Sequence, residues 1–411
     1  MPESFFHFSR KCLLFLILSL PLSLSLLRPD DFFAVKDRVI AESRFKFASL
    51  YFTPLFMLEN VGYNSNIFTY YDQAVPDWTG DLGVGLRASA IVANRLILQA
   101  EDLPHYSYYL ENENLRSWSN RFQAAVYSYI GPLNFKAGFV FNDLTQRPYD
   151  EFSRPFQYTK REWSGEVDWG RRSKLFLTAY TKFGKLAYDE DPYLETYRLA
   201  EILNRQESSF GLKLNRRIFT STIIYLNYQL SDYVFTANSE RDSSSQAISL
   251  GVELPEIGLL QGGFQIGLNY FDPKNPLFKP SQNLNGSGNV RVTLFKRLRL
   301  KLFYTLGTNF SFAADDLYYN NQVLGGGADL YLTSFLKIGA TYQEGRLNYH
   351  SWLDLELKRT DWTSQQQYFL AVPFLGNASF GMAYTIYRLR SDASNLDYTR
   401  SFWGGFVSYE F

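Results

Sequence analysis

The last eleven residues, Ser401–Phe411, read SFWGGFVSYEF. Side chains of an extended chain alternate between two faces. Trp403, Gly405, Val407, Tyr409 and Phe411 therefore share one face, and Phe402, Gly404, Phe406, Ser408 and Glu410 share the other. A chain that stops on an aromatic, with apolar residues at alternate places before it, ends in a strand with a side suited to an apolar surrounding. The final edge of a soluble sandwich and the closing strand of a larger sheet both fit that description. The preceding strands must decide between them.

From about Leu50 the sequence is a series of alternating segments. Phe210, Leu212 and Leu214 alternate with Ser209, Gly211 and Lys213, and Ile248, Leu250, Val252 and Leu254 with Ala247, Ser249, Gly251 and Glu253. Phe264–Tyr270, Leu298–Leu306 and Leu336–Tyr342 repeat the pattern. Strands of soluble proteins usually run ~5–6 residues. Many of these segments reach the ~9–11 residues that a tilted strand needs to cross a bilayer.

The breaks between segments set the topology. Short ones fall near Ala93–Arg95, Gly131–Pro132, Gly170–Ser173, Arg216–Arg217, Pro255–Ile257, Lys296–Arg297, Thr333–Ser334 and Leu375–Asn377. Longer polar breaks at 64–76, 110–116, 146–160, 188–206, 237–244, 272–286, 313–322, 349–360 and 392–396 interlace with them. Short periplasmic turns alternating with longer external loops are the habit of membrane barrels. The fold expected is all-β, a transmembrane antiparallel up-and-down β-barrel over 50–411 with about 18 strands. The count falls to 16 if the weaker segments 44–63 and 344–362 are misread. An even number leaves both ends of the barrel on the periplasmic side.

Composition agrees. The mean hydropathy of -0.22 excludes a bundle of membrane helices, yet 30 Tyr, 36 Phe and 7 Trp make 18% of the chain aromatic. A barrel needs that mixture, because its lipid face is diluted by polar inner residues and its rims are girdled by Tyr and Trp. Equal numbers of basic and acidic groups, 41 of each, give no argument for nucleic acid as a partner. Arg10 and Lys11 precede the apolar run Cys12–Leu27, the pattern of a secretory signal peptide over 1–27, with cleavage after Ser25 or after Ala34. Residues 28–49 are expected to form a periplasmic leader.

Catalytic chemistry is poorly supplied. Of three histidines, His7 falls in the signal, and neither His105 nor His350 has a nucleophile–base partner in sequence. His105 lies near Asp102, and a polar rim position is the expected reading of it. The triplet Gly325–Gly327 sits inside a strand-like run, where close strand packing accounts for it better than a phosphate cradle does. No catalytic residue, cofactor or metal site is expected.

Alternation instead singles out charges opposite the apolar face. Arg87, Arg121, Lys136, Lys182, Lys213, Arg291, Arg299, Lys301 and Lys337 should point inward, as should Glu101, Glu166, Asp168, Glu253, Asp329 and Glu410. They are candidates for lining a lumen, since hydrocarbon excludes charge and a water-filled bore does not. Leu212, Leu250, Val252, Leu268, Leu300, Leu302 and Ile338 should meet lipid. Loop 188–206 places Leu194, Tyr197, Glu201 and Ile202 at helical spacing, so a short helix there could fold over or into the mouth. Tyr106, Tyr108, Tyr109, Tyr149, Tyr158, Tyr188, Tyr193, Tyr318, Tyr319 and Tyr349 read as external-loop residues of an aromatic girdle.

Two stretches carry a family likeness. Val61–Phe68, VGYNSNIF, resembles through Asn64, Ser65, Asn66, Ile67 and Phe68 a signature of the second β-barrel porin family. The closing strand resembles that of bacterial outer-membrane barrels, in which Trp403, Val407, Tyr409 and Phe411 would be the signal read by the barrel-assembly machinery. The resemblance implies residence in the bacterial outer membrane, outer-membrane lipid as surroundings, and a channel that serves as the exit for an exopolysaccharide. The residues themselves allow two alternatives: a passive porin for small hydrophilic solutes, or a structural barrel plugged by its loops. The sequence specifies no oligomeric state.

Overall fold

An amide left unpaired in hydrocarbon costs several kcal/mol, so a sheet that crosses a membrane must close on itself. The computed structural model describes residues 32–70, 72–146, 155–171, 173–189, 199–218, 221–254, 259–311, 316–351, 359–374, 378–393 and 396–409. A helix, α1 (Phe32–Glu42), and a short strand, β1 (Phe45–Phe47), precede the barrel. The first half of the wall is β2 (Leu50–Asn64), β3 (Asp77–Val92), β4 (Leu96–Tyr109), β5 (Ser117–Ile130), β6 (Leu133–Gln146), β7 (Phe156–Trp169), β8 (Leu175–Tyr188), β9 (Arg205–Ile218) and β10 (Thr222–Phe235). The second half is β11 (Ser243–Leu254), β12 (Leu260–Pro273), β13 (Ser281–Leu294), β14 (Leu298–Phe310), β15 (Asp316–Thr333), β16 (Leu336–Ser351), β17 (Thr360–Phe374), β18 (Ala378–Ser391) and β19 (Tyr398–Tyr409). A second helix, α2 (Leu199–Leu203), lies before β9. Each barrel strand pairs antiparallel with the next, and β19 pairs with β2, closing 18 strands.

The registers place the expected faces. Leu226, Leu250 and Ile266 lie in one cross-strand row, and Ile248, Leu268 and Leu284 in the next. All six are exposed, as the lipid face of a barrel must be. Leu212 and Leu302 are exposed on the same side, and the positions of Val252, Leu300 and Ile338 in register with Phe264, Val292 and Leu330 place them there too. Two turns use left-handed residues other than glycine, Ala93–Asn94 and Phe295–Lys296, whose positive φ values suit the twist of a tight hairpin.

Several boundaries move. Arg216 and Arg217 are strand residues of β9, and that turn comes after Ile218. The breaks read as 146–160 and 272–286 are shorter, because β7 starts at Phe156, β12 runs to Pro273 and β13 starts at Ser281. Polar residues at these strand ends look like loop in sequence but still pair above the membrane. The short turns at 255–257 and 375–377, residues 1–31, Tyr149, Tyr193, Leu194, Tyr197, Glu410 and Phe411 lie outside the described residues.

The seam is asymmetric. β19 pairs with β2 only over Leu58–Asn64, while the lower edge of β2, Leu50–Phe52, is taken by β1. Asn60, at a positive φ of 53°, forms a bulge between Glu59 and Gly62. Its amide donates to Asp81 Oδ2 (2.6 Å), and its carbonyl accepts from Thr79 Oγ1 (3.0 Å). Above the bulge, Ser65 stitches the seam twice. Its N–H donates to the Ser401 carbonyl (2.9 Å), and its hydroxyl accepts from the Ser401 N–H (2.8 Å). Asn66 then closes the first loop by donating to the Tyr70 carbonyl (2.9 Å) and accepting from the Tyr70 N–H (3.2 Å). Asn64 and Ser65 thus hold the junction of first and last strands.

Gly62 lies so close to β19 that a Cβ there would overlap the Trp403 carbonyl and the Gly404 Cα. Gly62→Ala should therefore prevent closure, seen as loss of the compact, heat-modifiable band in unboiled gels, whereas Gly307→Ala, with open space around it, should fold normally. A second expectation tests the faces. Leu250→Arg should cost ~2–4 kcal/mol if that site is near the bilayer midplane, and Ser287→Arg, exposed on the inner face, should be tolerated when folding into lipid vesicles is measured.

Candidate channel lumen

Every inward candidate that is described lies on the inner wall, and most are drawn into pairs. Arg87 meets Glu101 at 2.6 Å across β3 and β4, and Glu42 of α1 at 3.7 Å. Lys182 and Lys160 both reach Glu162, at 3.0 and 3.1 Å. Lys136 stands opposite Glu166 in register. Asp168 serves a periplasmic clasp rather than the open wall, accepting from Arg171 (2.5 Å) and Thr178 (2.5 Å) while 4% exposed. Arg121 shares the inner face with the half-buried Glu59 and the buried His105. Glu253 faces inward next to Gly263 of β12.

His105 is buried on the inner wall, opposite Gly83, and not at a polar rim. Asp102 stands opposite Leu86 and Phe122 on the outer face. The two belong to opposite faces of one strand and cannot act together.

Two polar groupings dominate the wall between β8 and β16. Tyr180 and Tyr225 lie flat over Gly211 and Gly251, where any side chain would overlap their rings. Lys213 sits between them, 5.6 and 5.0 Å from the ring centres. The Tyr180 hydroxyl reaches Asn227 and Gln229 at 3.0 and 3.1 Å, and the Tyr225 hydroxyl reaches Gln265 at 3.0 Å. Nearer the periplasm, Asp329 is fully buried and gathers Lys301 (2.8 Å) and Lys337 (3.5 Å), with Arg299 directly opposite in register. Arg291 is in register with Lys301. Two lysines thus hold one carboxylate, with Arg299 and Arg291 on the same stretch of inner wall.

The residues read as a periplasmic leader include α1, which lies against the inner wall at the periplasmic end. Phe32, Val35 and Val39 are buried against Ile91, Ile97 and Tyr127, whose strands point them inward. Burying such side chains is worth ~1.5–3 kcal/mol each, enough to hold an eleven-residue helix that would be marginal in water. Burial pushes the Glu42 carboxyl up, while Arg87 and Arg38 pull it down less strongly.

The extracellular mouth is filled from another direction. β13 stays paired with β14 only below Gly286–Leu306, whereas β14 and β15 remain paired up to Phe310–Tyr318. Freed from β13, their tip passes behind it. Phe310, of the same parity as the outward-facing Leu306, packs on the inward-facing Phe235 and Phe271, with ring centres 4.9 and 6.0 Å apart. Asn320 donates to Asn283 at 3.0 Å. Leu199, Ile202 and Leu203 of α2 enter the same apolar core, as do Leu144, Tyr158, Tyr188 and Leu317. Arg205 lies over the Phe310 ring at 4.9 Å. Arg241, 5% exposed, donates to the carbonyls of Ser311 (2.5 Å), Asp316 (2.9 Å) and Leu317 (3.1 Å).

For the tyrosines buried at the mouth, the girdle reading is corrected by this core. Tyr106, Tyr108 and Tyr109 are strand residues of β4, and Tyr158, Tyr188, Tyr318, Tyr319 and Tyr349 are buried strand residues of the mouth. The outer face does carry Tyr106 and the exposed Tyr108, together with Trp78, Trp118, Trp362 and Trp403, which are exposed on the lipid side. Sequence reasoning passed over Phe235, Phe271, Phe310, Arg205 and Arg241. The spacing of Phe32, Val35 and Val39, one face of a helix, was a legible sign of α1.

No family model matches this sequence, and no curated protein is similar to it in sequence. Solved structures do match. Pseudomonas aeruginosa OccK1 (OpdK) superposes with a TM-score of 0.51 at 11% identity, covering 88% of this chain and 98% of that one. OccK9 (OpdG) of the same organism gives 0.50 at 13% identity, covering 87% and 98%. OpdK with vanillate gives 0.50 at 11% identity, covering 88% and 98%. The chain has the fold of an outer-membrane barrel. This fold places the apolar band in the bacterial outer membrane, with the short turns towards the periplasm. At such identities the likeness carries the architecture alone, and the likeness at Asn64–Phe68 gains no family match.

Arg241 should be the staple of the mouth. Arg241→Ala is expected to free the ends of β14 and β15, raising single-channel conductance and admitting protease at Leu317 and Tyr318 while the barrel band in unboiled gels persists. Unchanged conductance and protection would show that the apolar core holds the tip unaided.

Proposed function

We propose that this barrel is a channel for small hydrophilic solutes. A single observation carries the reading: a closed 18-strand wall whose inner face is polar over its height, from Lys337 and Asp329 to Lys182, Glu162 and Asn269. Charged groups there need water, and a barrel of this size has room for it. The fillings at the two ends occupy different arcs, α1 against β2–β5 and the mouth core against β6–β15. A solute would follow an offset path between them, which suits small molecules better than a polymer.

The polysaccharide exit rests on the resemblance at Asn64–Phe68, and those residues serve the seam and the first loop. Held in those contacts, they carry no argument for a polymer. Weak anion preference is the finer proposal, drawn from Arg291, Arg299, Lys301 and Lys337 around Asp329. OpdK, similar in fold, was crystallised with vanillate, a small carboxylate of a kind such a wall suits.

Reconstituted protein should give steady ion conductance in planar bilayers with slight anion selectivity. Exchanging Arg299, Lys301 and Lys337 for Gln together with Asp329→Asn, so that no buried carboxylate is stranded, should shift the reversal potential towards cations without closing the pore. Electrical silence that persists in Arg241→Ala would favour the plugged structural barrel.

A further inference from the structure

The outer face carries a charge pattern that a lumen does not explain. Near the extracellular ends of β16, β17 and β18, Arg346, Trp362 and Arg390 stand in one cross-strand row. Arg388 lies in the next row, opposite Ser364. The row continues below into Tyr368, Leu370, Phe380, Met382 and Tyr384, which are exposed and apolar. The three arginines therefore sit on the lipid-facing side where the apolar band ends. All three are exposed, and none forms an ion pair with a described carboxylate. Glu344, the nearby acid, instead accepts from Tyr342. Arg346 extends over the indole of Trp362 at 6.0 Å.

Unpaired charges facing lipid are costly near the membrane centre and become favourable only at headgroup level, beside charge of the opposite sign. The outer leaflet of this membrane is built of phosphorylated glycolipid. Guanidinium groups bind phosphate through paired, geometrically fixed hydrogen bonds. An indole at the same level suits the boundary between acyl chain and sugar. The apolar rows beneath would receive the acyl chains.

We propose that Arg346, Arg388, Arg390 and Trp362 form a docking site for the phosphorylated disaccharide headgroup of the outer-leaflet glycolipid. Occupation would fix the β16–β18 side of the barrel in its leaflet, independently of what passes through the bore.

The test uses the full-length barrel in detergent with bisphosphorylated lipid A, and lipid A stripped of both phosphates, as probes. Bound glycolipid is counted by native mass spectrometry, and the shift in thermal unfolding is followed in parallel. Wild type should retain bisphosphorylated lipid A at least tenfold more tightly than the dephosphorylated form, and the difference should shrink with salt. The variant R346Q/R388Q/R390Q should lose that tenfold preference. R346K/R388K/R390K, which keeps the charge but not the fork, should retain part of it. Both should show the folded band in unboiled gels and wild-type conductance. Equal retention of the two lipids by wild type, or an undiminished preference in the glutamine variant, would overturn the proposal.

Discussion

Backbone pairing in hydrocarbon is the constraint on which this structure depends. Each of the 18 strands satisfies its amides through its neighbours, and the one place where chain order cannot supply a neighbour is the junction of first and last. There the chain spends unusual residues: a left-handed Asn60, the close pair Gly62 and Gly404, and the two-way stitch of Ser65 and Ser401. β1 covers the lower edge of β2 beyond its pairing with β19. The junction is thus made by three strands, and its glycines let the first and last approach without side chains between them.

Closure creates the second problem, an interior wide enough for water that must still hold its charges. The wall answers by pairing them across adjacent strands, Arg87 with Glu101, Lys182 with Glu162, Lys301 and Lys337 with Asp329. Adjacent strands lie ~4.8 Å apart, so long side chains of opposite sign meet without bending the wall. The cations in excess of carboxylates near Asp329 set the proposed selectivity. The apolar material inside the barrel is confined to two places, the α1 contact and the mouth core. Both consist of segments that would otherwise expose apolar faces to water.

The outer and inner faces therefore obey different rules within one alternating chain. Outside, apolar residues are left exposed because lipid covers them, and the arginines of the β16–β18 rows stand where that apolar band ends. Inside, aromatic residues are buried because the chain folds back on itself, as Phe310 does on Phe271. Tyrosines of similar local sequence end on either side. Tyr158 and Tyr188 are buried in the mouth, whereas Tyr368 and Tyr384 are exposed to lipid.

Period-two alternation was enough to reveal the strands and their number, because a strand has only two faces and one of them must be apolar. The same reasoning identified the closing strand, whose Trp403 and Val407 stand in register with Tyr63 and Leu58. Alternation carries no information about what lies inside the ring. That α1 turns back along the inner wall, that the β14–β15 tip slips behind β13, and that Asp329 rather than solvent faces Lys301 were decided by tertiary structure. Each depends on which distant strands curvature brings across the bore, a long-range geometry that local periodicity cannot encode.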